Sequence, residues 1–100
     1  MNNQIKRIEE MEKILDTSNT AIKNLEKALK EYSKAQNGIH ELATYYTSKE
    51  WKEDFEADEK GKLPSDLKRG VLSEDGIYNM LDNNLEVQRK MCRTVEKSLR

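Results

Sequence analysis

From Ile8 onward the apolar residues of this chain fall on a seven-residue repeat, and no other feature limits its fold so tightly. One series runs Ile8, Leu15, Ile22, Leu29, Gln36, Ala43, and the other Met11, Ser18, Leu25, Tyr32, Ile39, Tyr46. All but Gln36 and Ser18 are apolar or aromatic, which is the seam of a helix packed against another helix. The intervening residues are rich in Glu, Lys, Leu and Ala, all good helix formers. Pairs such as Glu9 with Lys13 and Glu26 with Lys30 have the i,i+4 spacing that supports a helix.

Two segments interrupt the pattern chemically without shifting its phase. Asp16-Thr17-Ser18-Asn19-Thr20 has poor helix propensity, but a hairpin there would break the repeat, so one helix across it is expected. Asn37-Gly38 is a stronger breaker, since Gly suits the residue just past a helix end. The sequence therefore predicts a long helix over about 3–36, with 39–46 either continuing it through a kink or following an interruption.

The next boundary is sharper. Thr47 followed by Glu50 has capping-box spacing, and Tyr46 with Trp51 fits a hydrophobic staple. A short helix is expected over 48–59, ended by Gly61, and residues 60–72 form a connector with Leu63 and Leu67 turned inward. Ser73 is a good N-cap for a last helix over 74–98. Glu74 and Asp75 suit its positive end, Leu72 and Ile77 make a second staple, and Arg93, Lys97 and Arg100 suit its negative end.

Composition points the same way. Of the 100 residues, 35% are hydrophobic and 37% charged, which describes narrow apolar stripes and wide solvated faces. The expectation is a single all-α domain over 1–100: an antiparallel helical bundle of two long helices, with one or two short helices and a connector closing one end. Disorder does not fit, because the net charge is only −1 and the apolar residues are periodic.

Charge and cysteine usage exclude several functions. Lys and Arg total 18 against 19 acidic residues, without the basic excess of a general nucleic-acid binder. Lone Cys92 cannot form an internal disulfide, there is no apolar run of signal-peptide length, and no stretch is long enough for a membrane span. A cytoplasmic setting, without membrane association, follows as the expectation.

The chemical motifs fail on inspection. His40-Glu41 begins like a zinc-protease motif, but Thr44 stands where the second His is needed. Asp54 to Gly61 imitates the start of a calcium loop, yet the sixth and twelfth positions are Glu59 and Ser65. Ser65-Asp66-Leu67-Lys68 has the S-x-x-K spacing of some acyl-transfer enzymes without their companion motifs. The sequence thus assigns no catalytic residue, no metal ligand and no cofactor.

Residues 45–75 hold the only Trp, the only Pro and the only Phe. Clustered aromatics anchor interfaces as well as structural corners. The candidate interaction surface comprises Tyr45, Tyr46, Trp51, Asp54, Asp66, Lys68, Arg69, Ser73 and Asp75. An acid near Lys68, Arg69 or the 72–75 turn would lock the connector shut, with Asp54 and Asp66 the candidates.

One resemblance bears on this block. Tyr45-Tyr46, Trp51, Asp54, Leu63-Pro64, Asp66-Leu67, Gly70-Val71-Leu72-Ser73-Glu74-Asp75 and Tyr78 resemble a family of short bacterial and phage proteins, the domain of unknown function number 4298. Met11-Glu12 and Ile14-Leu15 are similar to it as well. The likeness runs from Ile8 to about Leu85, and GVLSED after a Leu-Pro is its most specific part. It implies a small, helical, soluble protein with no assigned activity.

The leading functional expectation is a non-enzymatic interaction module that binds a partner protein, or itself, through the 45–75 corner. The alternative is a small-molecule or anion binder, or a minor enzyme, built on Lys68, Arg69, Ser73 and Asp75. A third reading is dimerisation through the first helix, with Ser18 and Gln36 as the polar seam positions that fix register. An interaction module predicts an exposed apolar patch near Trp51 or along the seam. A ligand site predicts a concave pocket with convergent polar groups.

Overall fold

The computed structural model describes residues 1–99, and among them there is no strand. Three α-helices follow in order: α1 over Asn2–Tyr46, α2 over Lys49–Glu59 and α3 over Gly76–Ser98. A single 3-10 turn, Gly70–Leu72, lies in the connector before α3. The all-α class, with a long first helix, a short helix, a connector and a long last helix, is what the repeat and caps predict.

Helix α1 is continuous through both weak segments. At Asn37-Gly38 an added Cβ on Gly38 would meet nothing within 4 Å, and the residue does not take the left-handed conformation of a helix stop. Continuity of the repeat outweighs local propensity here, because each break would discard i→i−4 hydrogen bonds on both sides.

The two later helix starts differ by one or two residues from expectation, for a common reason. Ser48, not Thr47, caps α2: its Oγ accepts the Trp51 N–H at 3.2 Å. Thr47 instead turns its hydroxyl back onto the Ala43 and Thr44 carbonyls, closing the end of α1. At α3 the Oγ of Ser73 accepts the Gly76 N–H at 3.0 Å while donating to the Gly70 carbonyl at 2.8 Å. Ser73 therefore pins the 3-10 turn, and α3 begins only at Gly76. In both places a hydroxyl has two backbone groups within reach and bridges the outgoing turn to the incoming helix.

Two glycines are structurally required. Gly61 ends α2 with φ +68°, the left-handed conformation Gly adopts without steric cost. At Gly76 a Cβ would lie 2.3 Å from the Gly70 carbonyl oxygen and 2.6 Å from Ser73 Oγ, so no other residue fits beside that turn.

Cα packing groups the chain into two units, Met1–Gln36 and Asn37–Arg100. In the first, every residue from 1 to 31 is exposed. Helix α1 has 45 residues and α3 has 23, so α1 is about twice as long as the other long helix. In the second unit Leu72 and Ile77, the expected second staple, are the buried hydrophobics. Leu63 is half-buried as expected, whereas Leu67 is exposed.

Candidate interaction surfaces

The corner between α1 and α3 is built on one face of α2. Trp51, Phe55 and Asp58 recur at i, i+4 and i+7 and so point the same way. The Trp51 ring meets Tyr46 edge-on at 5.2 Å between centroids and stacks on Phe55 at 5.1 Å. Its indole N–H donates to the Val71 carbonyl at 2.9 Å, tying α2 to the 3-10 turn. A tryptophan with two ring contacts and its only donor satisfied is a structural keystone.

Two further ties close the corner. The Tyr45 hydroxyl donates to Asp54 Oδ2 at 2.6 Å, joining the end of α1 to α2. Burial of the phenol, and then the neighbouring Asp54 carboxylate, push the Tyr45 hydroxyl up to about 12. Arg69 donates to the Asp58 carboxylate and to the Pro64 carbonyl, and its Nε donates to the Leu67 carbonyl at 3.3 Å. One guanidinium thus staples the connector to α2, with both charged partners partly withdrawn from solvent.

The sequence-predicted residues therefore separate into groups. Tyr45, Tyr46, Trp51, Asp54, Arg69 and Ser73 come together, each with a partner inside the corner. Asp66 is exposed in the connector. Asp75 stands at the start of α3, where its side chain makes no capping bond. The acid that locks the connector is Asp58, not Asp54 or Asp66. Its signal lay in the sequence as helical spacing from Trp51 and Phe55, within the acidic run that imitates the start of a calcium loop.

Beside the corner lies an open groove of about 500 Å³, lined by Leu42, Val71, Ile77 and Met80 with Lys68, Gly70 and Gly76. Its walls are mainly apolar, and Lys68 is the one ionisable group among them. Arg69 and Ser73, which a ligand site on this turn would need, are held by backbone and carboxylate partners. Among the described residues no three of His, Cys, Asp and Glu gather as metal ligands would. No described helix is long and apolar enough to cross a membrane.

The second surface is the seam of α1. Ile5, Ile8, Met11, Ile14, Leu15, Ile22, Leu25 and Leu29 are all between 44% and 63% exposed. Six of them, Ile8, Met11, Leu15, Ile22, Leu25 and Leu29, lie on the heptad seam, and Ile5 and Ile14 flank it on either side; single exposed apolar residues would be ordinary where such a row is not.

A helical protein whose connector and 3-10 turn are held to α2 by an aromatic and guanidinium clasp is the class these observations define. Residues 8–94 match the family described as Domain of unknown function (DUF4298), and the chain belongs to that family. The match extends beyond the corner into the second half of α3, past the Leu85 limit of the resemblance seen in sequence. Neither a curated protein nor a solved structure matches the chain.

Proposed function

We propose that this protein is a non-enzymatic interaction module whose contact surface is the apolar stripe of α1, with the 45–75 corner as the folded anchor that carries it. The observation that supports this reading is the row of large apolar side chains from Ile5 to Leu29, every one of them exposed. Helices of ordinary composition draw most of their stability from a packed apolar face, so an uncovered face of this length points to a partner. The corner is the weaker choice of contact surface because Trp51, Tyr46 and Arg69 are engaged internally. The anion-binding alternative lacks convergent free polar groups for the same reason.

Affinity capture with the full chain tests the proposal. Wild type is expected to retain a protein, its own untagged copy included, that an Ile22→Asp variant loses, while Lys68→Glu retains it. Equal recovery by wild type and Ile22→Asp contradicts it.

A further inference from the structure

We infer that the partner on the α1 stripe is a second copy of this chain, in a parallel, in-register two-stranded coiled coil over about residues 5–32. The inference rests on the reading of that stripe as a contact surface and adds the identity and direction of its occupant.

Three observations carry it. The first is periodicity. A seam repeating every seven residues, not every 3.6, is matched by a helix of the same period wound around it, and the four heptads from Ile8 to Tyr32, in constant phase with Ser18 their one polar seam position, pass the length at which such pairing is recognisable. Another copy of α1 supplies that period and length by construction.

The second is area. Eight apolar side chains at about half exposure present roughly 700 Å² per copy, and a symmetric pair reaches the ~1,200–2,000 Å² of stable interfaces. An occupant burying only part of the stripe would fall short of that range.

The third is charge, and it selects the direction. In a parallel pair the residue flanking one seam faces the residue five further along the other chain. Arg7 then meets Glu12 of the second copy, twice by symmetry, and Glu26 meets the neutral Ala21. No like charges oppose each other along the flanks. An antiparallel pair with the same number of seam layers would set Glu12 against Glu26 of the second copy, also twice. Opposite charges at these flanking positions set orientation. In the parallel register Ser18 meets Ser18, a polar layer that holds the copies in step at the cost of some affinity.

Light scattering and sedimentation of the full chain test the inference. Wild type is expected at twice its 11.7 kDa, and Leu25→Asp should raise the dissociation constant about 100-fold or more. Glu12→Arg, which leaves the seam untouched and sets Arg against Arg7, is expected to weaken the pair about 5-fold. Adding Arg7→Glu should restore it. A wild-type mass of 11.7 kDa at high micromolar concentration overturns the second-copy occupant. A pair tightened by Glu12→Arg overturns the parallel direction. Should wild type be monomeric, capture by wild type but not Ile22→Asp shows that the occupant alone was wrong. Equal capture shows that the stripe is no contact surface at all.

Discussion

The seam of α1 and the corner that follows it are comparable in apolar content and opposite in construction. In the corner, few side chains carry many distinct interactions: Trp51 meets two rings and a carbonyl, and Arg69 meets a carboxylate and two carbonyls. In the seam, many side chains share one repeated property and every one of residues 1–31 is exposed. A corner of that kind is specified within a single chain. A seam of that kind is a surface whose stability depends on what lies against it. The difference shows how a chain with only two buried hydrophobics among its described residues, Leu72 and Ile77, holds a defined turn. Directional hydrogen bonds, ring stacking and steric exclusion at Gly76 replace the volume of a conventional core.

If that division is right, substitutions in the corner should unfold the second unit whatever the protein concentration. The largest effect is expected from Gly76→Ala, whose Cβ collides with a backbone carbonyl that cannot yield. A loss of about 3 kcal/mol is expected in urea denaturation, and a loss below 1 would show the turn to be adaptable. Trp51→Ala removes two ring contacts and a hydrogen bond and should lower stability by roughly 2–3 kcal/mol. Trp51→Phe, which keeps a ring and loses the bond to Val71, should lose about 1 kcal/mol.

The Arg69–Asp58 pair sharpens the comparison further. Because both side chains are partly withdrawn from solvent, a double-mutant cycle with alanine should give a coupling near 1 kcal/mol, above the exposed Lys49–Glu53 pair. Equal coupling for the two pairs would remove the clasp from the account.

The smallest effect concerns alkali. Tyr45 keeps its proton to about 12 when folded, against about 10 in an unfolded chain. Its contribution is therefore fully present below pH 10 and lost as pH rises through about 12, because the unfolded state releases the proton first. Tyrosinate absorbance should show one late-titrating tyrosine, and Asp54→Asn should bring it earlier. No change in Asp54→Asn would place the cause in burial alone.

Much of this architecture was legible in the sequence. The phase of the repeat carried α1 through Asp16–Thr20 and through Gly38 because periodicity records tertiary packing, whereas propensity records only local preference. Tyr46 with Trp51 was readable as a contacting pair and Leu72 with Ile77 as buried residues, although the caps that suggested them moved to Ser48 and Asp75. Three features were not readable. Ser48 and Ser73 each bridge two backbone groups, and sequence does not say which of two nearby hydroxyls turns inward. Asp58 looked like one of several solvated acids until the connector placed Arg69 over it. Exposure of the seam was invisible because a stripe reads alike whether its cover is the same chain or another.

Native-state hydrogen exchange at two protein concentrations tests the central claim most directly. The account predicts that amides over residues 5–32 gain protection as concentration rises, while those of α2 and of α3 near Ile77 keep theirs unchanged. Strong protection over 5–32 that is independent of concentration and of any added partner would contradict it.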